Sequence, residues 1–248
     1  MDDPFSIFAV FLAGLCSSFF GTMIGGGSLL SIPVLILLGV PPQVAIATDR
    51  FAGLAAATAA LHRYSGAGKV VWRHVPLLCL LSVIGALIGS TLLIRVEPEI
   101  LQPAIAFLLV ALLPVLFLKR DLGVAAREVT QRQLIWGFVL YLLVQILSGF
   151  FHAGMGVIIF FILMAFVGLT IVEVAATQML PFIALATASS LIFAWNGLID
   201  FRVGLVLMAG GAFGGHLGAR FAVRYGERWV RRLFSAMVLA SAAVLALR

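Results

Sequence analysis

The sequence predicts an all-α polytopic membrane protein built from two repeats of inverted topology. Three observations predict this fold: the composition, the spacing of the apolar segments, and a relation between the two halves of the chain. Of the 248 residues, 63% are hydrophobic and 10% are charged, and the mean hydropathy is +1.19. Soluble domains are about half apolar and carry about 25% charged residues, so this composition excludes a soluble fold.

The apolar segments form two groups of five on either side of a polar linker at residues 119–133. In the first half, residues 1–118, they cover 5–24, 28–40, 43–62, 75–94 and 99–118. In the second half, residues 134–248, they cover 134–151, 156–169, 172–195, 203–221 and 230–247. A helix needs about 20 residues to cross the hydrocarbon core. The second segment of each half is too short, and we expect a glycine-broken helix there, either re-entrant, which we favour, or spanning with a tilt.

The two halves resemble each other when the sequence is shifted by 129 positions. Six of the eleven glycines between residues 14 and 89 then meet a glycine, whereas about one would do so by chance. Gly25 meets Gly154 and Gly27 meets Gly156. The pattern indicates an internal duplication that includes both short segments.

The lysines and arginines indicate how the segments are oriented. The loops at 63–73 and 220–232 and the linker hold three, five and four basic residues, while 95–98 and 196–202 hold one each. The positive-inside rule places the three rich stretches in the cytoplasm and both chain termini outside. The two halves are then inverted relative to each other. Because the basic residues lie in loops between apolar segments, the net charge of +6 does not indicate nucleic acid as a partner.

Paired, interrupted segments in inverted repeats mark the binding site of secondary transporters. A helix that begins after a glycine break presents free N–H groups and the positive end of its dipole, which favours an anion. We therefore predict a substrate site at the two breaks, formed in the first half by Gly25, Gly26, Gly27 and Ser28, and in the second by His152, Gly154, Met155 and Gly156. The alternative is that these glycines only permit close helix packing.

Two stretches of the chain carry a family resemblance. GTMIGGGSLLSIPVL at residues 21–35, followed by LGVPPQVAIAT at 38–48, resembles the sulfite exporter TauE/SafE family of membrane proteins. The stretches GAGKVVWRHVPLLCLLSVIGALIGSTL at 66–92 and GLIDFRVGLVLMAGGAFGGHLGARF at 197–221 are similar too, so the resemblance covers nearly the whole chain. It implies transport of sulfur-containing anions, such as sulfite or organosulfonates, usually outward across the cytoplasmic membrane.

Asp49 and Arg50 are charged residues inside a membrane segment, and such residues are functional by default. Arg50 is predicted to hold an oxyanion through its planar guanidinium group, and Asp49 to carry a coupling proton. A structural ion pair with a neighbouring helix is the alternative. Further hydrogen bonds to the substrate are predicted from Thr48, Thr177 and Gln178. Glu173 is a second candidate for proton coupling, although its place near a helix start also suits capping.

The predicted function is secondary transport of a small anion by alternating access, in an inner-membrane protein. Its expected partners are the anion and the lipid bilayer, and a homodimer is one open oligomeric state. A cation/proton antiporter that uses Asp49 is the alternative. The sequence holds no HExxH motif, metal-ligand cluster or nucleophile elbow, so neither an enzyme nor a cofactor is expected.

Overall fold

The computed structural model describes residues 4–95, 123 and 125–246, without the side chains of residues 231 and 234–246. The described part is helical and contains no strand. Its helices are α1 (Pro4–Ile24), α2 (Ser28–Leu37), α3 (Pro42–Gly66), α4 (Val75–Arg95), α5 (Gln131–Phe150), α6 (Met155–Ile162), α7 (Ile171–Thr177), α8 (Met179–Trp195) and α9 (Phe201–Ala246). The segment predicted at 99–118 and part of the linker lie outside the described residues.

Five stretches of these helices are long and apolar enough to cross a membrane: Pro4–Ile24, Pro42–Gly66, Val75–Arg95, Gln131–Phe150 and Ile171–Trp195. Their outer faces expose large apolar side chains such as Leu80, Leu92 and Leu143. Helices that are apolar on both their packed and exposed faces are typical of a membrane bundle. The prediction of an all-helical membrane protein is therefore confirmed.

The two segments that are too short to cross a membrane, 28–40 and 156–169, contain the short helices α2 and α6. Helix α2 has 10 residues. Helix α6 has 8 residues and continues into a π-helical turn at Leu163–Val167. Each follows a glycine with a positive φ angle, Gly25 at 77° and Gly154 at 81°. A residue with a Cβ is strained in that conformation, so glycine ends the preceding helix and lets the chain turn.

Two helix starts are fixed by side chains, and one helix is bent by its backbone. Thr130 before α5 and Thr170 before α7 each accept a hydrogen bond from the backbone N–H three residues later, in complete capping boxes. The range α9 contains two helical stretches, which correspond to the segments predicted at 203–221 and 230–247. They meet at Gly226, whose φ of 72° and ψ of −168° are not helical, where a loop is expected from the sequence.

The helices of the two halves pack on each other reciprocally. Helix α4 packs on α5 and α8, while α9 packs on α1 and α3. Small residues permit the close approach, because a Cβ on Gly85 would meet the Gln145 backbone and a Cβ on Gly214 would meet the Leu15 backbone.

Three pairs of glycines related by the shift of 129 also share a positive φ angle: Gly25 and Gly154, Gly39 and Gly168, and Gly68 and Gly197.

Candidate functional site

The two glycine breaks lie in backbone contact with each other. A Cβ on Gly25 would lie 2.7 Å from the Gly156 carbonyl carbon, and a Cβ on Gly156 would overlap the Gly25 carbonyl. In the first break the chain also folds back on α1, because a Cβ on Gly27 would overlap the Ser17 carbonyl oxygen. Only glycine permits this approach, so the breaks bring the starts of α2 and α6 to one place.

A cavity of about 110 Å³ lies where the breaks meet. A space of this size can accommodate several water molecules, because one water needs about 10–15 Å³. Gly25, Gly27 and Gly156 form part of its wall. The polar side chains that line it are Ser17, Ser18, Thr22, Ser28, Ser31, Asp49, Gln145, Ser148, His152 and Gln178.

Asp49 and His152 form a buried pair on one wall of this cavity. His152 Nε2 lies 2.8 Å from Asp49 Oδ2, and both side chains are less than one-tenth exposed. Helix α3 supplies the carboxylate, and the break between α5 and α6 supplies the imidazole. The other ring nitrogen, His152 Nδ1, is buried and has no hydrogen-bond partner among the described residues. The pair can therefore accept or release a proton within the bundle.

Arg50 lies next to this pair and is fully buried. Its Nη2 donates a hydrogen bond to the Ser148 carbonyl at the end of α5. Its Nε and Nη1 have no partner within the part of the chain that is described. A buried cation with unused donors is costly unless an anion or a carboxylate offsets its charge. Asp49 is the neighbouring carboxylate. The Nε and Nη1 groups of the guanidinium can still donate hydrogen bonds to a second anion.

A second part of the cavity wall holds a neutral hydrogen-bonded network that ends at Gln178. Tyr141 Oη donates to Gln178 Oε1 at 2.9 Å. Gln145 Nε2 donates to Tyr141 Oη at 2.6 Å and to Ser82 Oγ at 2.5 Å. The Ser82 and Tyr141 oxygens lie 3.0 Å apart. Gln178 is the residue that the shift of 129 relates to Asp49.

Thr48 and Thr177 bond the backbone of the opposite half. Thr48 Oγ1 accepts from the Asp200 N–H at 3.0 Å, and Thr177 Oγ1 accepts from the Val71 N–H at 3.0 Å. Positions 48 and 177 are 129 residues apart, and so are positions 71 and 200. The two hydrogen bonds are therefore reciprocal.

The sequence of the chain is similar to those of known membrane proteins. The family model described as sulfite exporter TauE/SafE matches residues 10–245. The chain belongs to this family. It is 26% identical over 232 residues to a probable membrane transporter protein of Haemophilus influenzae, covering 93% of this chain and 91% of the relative. It is 28% identical over 238 residues to the probable membrane transporter protein ORF9 of a Sinorhizobium species, covering 94% and 89%.

A third relative is the probable membrane transporter protein YfcA of Escherichia coli K12, 22% identical over 231 residues, with 93% of this chain and 86% of the relative covered. No solved structure is significantly similar to the chain. The resemblance read from the glycine motifs is thus confirmed. The protein is a membrane transporter of the TauE/SafE family and not an enzyme.

The structure brings only part of the predicted site to the cavity. Of the first break, Gly25, Gly27 and Ser28 line it and Gly26 does not; of the second, His152 and Gly156 do, and Gly154 and Met155 do not. Asp49 and Gln178 also line it. Arg50 lies behind the wall, and the hydroxyls of Thr48 and Thr177 point to backbone N–H groups.

Glu173 lies in the capping box of α7, where its carboxylate accepts from the Thr170 N–H at 2.8 Å. It does not line the cavity. In the described residues, no group of three or more His, Cys, Asp or Glu side chains is placed to hold a metal ion. The site thus consists of hydroxyl, amide, imidazole, carboxylate and guanidinium groups.

Several residues of the site were not among the sequence candidates. They are Ser17, Ser18, Ser31, Gln145 and Ser148 in the lining, and Tyr141 and Ser82 in the network behind it. Gln145 is the one that sequence reasoning had the means to find, because an amide inside an apolar segment is expensive unless it is hydrogen-bonded. Single serines occur in many membrane helices as packing residues, so their spacing does not distinguish a binding site.

Proposed function

We propose that the protein exports small sulfur-containing anions, such as sulfite or organosulfonates, through the cavity at the two breaks. The observation that carries this proposal is the cavity itself, because both glycine breaks, several hydroxyls and the His152 imidazole converge on it. The starts of α2 and α6 meet there, which adds the positive ends of two helix dipoles. Hydroxyl and imidazole N–H donors with a nearby guanidinium suit an oxyanion.

The proposed cycle is coupled to protons through Asp49 and His152. The charged or titratable side chains at the cavity are Asp49, His152 and, behind them, Arg50. With a neutral imidazole these three carry no net charge, and uptake of one proton raises their charge to +1. An anion then binds more tightly, because the attraction acts in a medium of low dielectric constant. A proton and the anion therefore travel together.

The outward direction is proposed from the net charge that moves. A dianion such as sulfite that moves with one proton carries one net negative charge. Outward movement of that charge is favoured by an inside-negative membrane potential, by about 2.3 kcal/mol per 100 mV. Export from the cytoplasm is therefore energetically consistent with proton coupling at this site.

The proposed architecture is a pair of inverted repeats, 1–118 and 134–248, joined by a cytoplasmic linker in the inner membrane, with both termini outside. The reciprocal packing of α4 and α9, the paired positive-φ glycines and the reciprocal bonds of Thr48 and Thr177 support the repeat. The basic loops support the orientation. We propose re-entrant hairpins for the two short helices, since Gly27 lies back against α1. A homodimer is the oligomeric state to test.

Counterflow into proteoliposomes tests the substrate. Vesicles loaded with unlabelled sulfite, taurine or thiosulfate are diluted into a trace of ³⁵S-sulfite. We expect labelled sulfite to accumulate transiently in vesicles that contain the protein, and loading with a transported anion to increase this accumulation. Uptake no greater than in empty liposomes, whichever anion is loaded, would refute the proposed substrate class.

A cation/proton antiporter is the second candidate. It is favoured by one observation: Asp49 lines the cavity together with serine oxygens, whereas Arg50 does not. This function predicts that sodium and protons compete for Asp49 and that Asp49→Asn abolishes the competition. A sodium pulse that releases protons from wild-type proteoliposomes, with no response to sulfite, would select the antiporter.

A further inference from the structure

The part of the cavity wall formed by Gln145 and Gln178 carries hydrogen bonds that all run towards Gln178. Both N–H groups of the Gln145 amide are used, one on Tyr141 Oη and one on Ser82 Oγ. The Tyr141 hydroxyl hydrogen is directed to Gln178 Oε1. With that hydrogen used, the Ser82 hydroxyl, 3.0 Å from Tyr141 Oη, can donate to the tyrosine oxygen. Tyr141, Gln145 and Ser82 are fully or almost fully buried, so no bulk solvent competes for these bonds.

The hydrogen-bonding capacity of Tyr141 fixes the orientation of the Gln178 amide. A hydroxyl group donates one hydrogen and accepts two. In this network Tyr141 accepts from Gln145 and donates to Gln178, and the Ser82 hydroxyl can donate to it. With a reversed Gln178 amide, Tyr141 would have to donate to Ser82 Oγ, and the Ser82 hydroxyl hydrogen would then have no acceptor among the described residues. Gln178 therefore turns its carbonyl to the tyrosine.

The other end of that amide belongs to the cavity. Gln178 lines the cavity and lies at the interruption between α7 and α8. No acceptor among the described residues receives a hydrogen bond from Gln178 Nε2. Its two N–H donors are thus available to a bound molecule in the cavity, which the Asp49–His152 pair also lines.

We propose that Tyr141 is a positioning residue that selects oxyanions, given that the cavity binds an anion as proposed above. By accepting from Gln145 and Ser82, Tyr141 fixes the Gln178 amide with its N–H groups towards the ligand. A ligand rich in acceptors and poor in donors, such as sulfite or a sulfonate group, then meets donors on this wall. Without the tyrosine hydroxyl the amide can turn, and its carbonyl oxygen repels the anion.

Tyr141→Phe tests the role, because it removes the hydroxyl and retains the ring. We expect the KM for ³⁵S-sulfite in proteoliposome counterflow to rise roughly 5-fold to 10-fold, the effect of one lost hydrogen bond to an anion, with the maximum rate within about twofold. The matched control is Tyr64→Phe, which removes another fully buried hydroxyl. That hydroxyl donates to the Thr22 carbonyl at 3.0 Å, outside the network, and its loss is expected to leave the KM unchanged.

A double-mutant cycle shows whether Tyr141 acts through Gln178. Gln178→Ala is expected to raise the KM by a similar factor, and Tyr141→Phe in that background to add less than about twofold. Additive effects in the cycle, or a Tyr141→Phe protein with wild-type KM, would overturn the proposal. Should Tyr141→Phe not fold, Ser82→Ala takes its place, with an expected KM increase of roughly twofold. An unchanged KM for Ser82→Ala would also overturn it.

These outcomes are separate from failure of the proposed function. Absence of sulfite counterflow in the wild-type protein contradicts the substrate class itself. Wild-type counterflow with no effect of Tyr141→Phe contradicts only the positioning role.

Discussion

Residues 49 and 178 are related by the shift of 129 positions, yet they give the two walls of the cavity different chemistry. On the first wall a carboxylate pairs with His152 beside a buried guanidinium. On the second wall the Gln178 amide is held by uncharged groups: it accepts from Tyr141, which in turn accepts from Gln145. Related positions in the two halves therefore contribute different chemistry to the site. The charged wall is suited to protonation, and the neutral wall is suited to fixed donors.

The contact between the two breaks holds these walls together, so its loss has the largest expected effect. Gly156→Ala places a methyl group on the Gly25 carbonyl. We expect a loss of at least about 3 kcal/mol of stability, because packed backbone cannot yield to the added atom. Thermal unfolding of the purified protein measures the loss.

Two glycine controls separate crowding from backbone strain. Gly66 has open space around its Cβ position and an ordinary φ, so Gly66→Ala is expected to leave stability unchanged or slightly raised. Gly39 also has open space but a φ of 88°, so Gly39→Ala isolates strain, about 1 kcal/mol. If Gly156→Ala is as stable as Gly39→Ala, the two breaks are not in contact.

The next largest effect is expected from Asp49→Asn, and its comparison with Gln178→Ala distinguishes the roles of the two walls. Asp49→Asn removes the charge from the first wall and is expected to lower kcat/KM for sulfite about 100-fold and to flatten its pH dependence. Gln178→Ala removes only neutral donors and is expected to lower kcat/KM roughly 5-fold to 10-fold with the pH dependence retained. Counterflow at a series of symmetric pH values measures both variants. Equal losses with parallel pH profiles would remove the distinction between the walls.

Arg50 tests whether the first wall binds the anion or only responds to protons. Its two unused donor nitrogens lead us to expect that Arg50→Lys raises the KM for sulfite about tenfold, because lysine lacks the planar fork. Arg95→Lys, at the exposed end of α4, is the matched control and is expected to leave the KM unchanged. An unaltered KM in Arg50→Lys together with Arg50→Ala would exclude Arg50 as an anion ligand.

The smallest effects on stability are expected from removing the reciprocal hydrogen bonds of Thr48 and Thr177. Thr48→Val and Thr177→Val each remove one hydrogen bond to the opposite half and are expected to cost about 1 kcal/mol each, additively. The control is Thr58→Val, whose exposed hydroxyl bonds the Leu54 carbonyl within its own helix, with an expected change near zero. Denaturant unfolding measures all three. A large difference between the Thr48 and Thr177 variants would argue against reciprocal roles.

The sequence predicted the fold class and most helix bounds, because membrane helices are specified by continuous apolar length and glycine breaks are local. It also indicated both breaks and the charges at Asp49 and Arg50. The pairing of Asp49 with His152 was not predictable, since it depends on how α3 packs against the end of α5. The same holds for Tyr141, whose hydrogen-bond partner Gln178 comes from another helix. Thr48 and Thr177, predicted to bond the substrate, are not in the cavity lining, and their hydroxyls accept from backbone N–H groups of the opposite half.

Sulfite efflux under an imposed pH gradient measures whether the cavity couples anion transport to protons. Proteoliposomes loaded with ³⁵S-sulfite are diluted into medium of higher pH, so that the lumen is acid, and the rate is compared with vesicles at equal pH. We expect faster sulfite efflux from the acid lumen, and no acceleration in Asp49→Asn. Efflux of sulfite, sulfonates and thiosulfate that never exceeds that of empty liposomes would contradict this expectation.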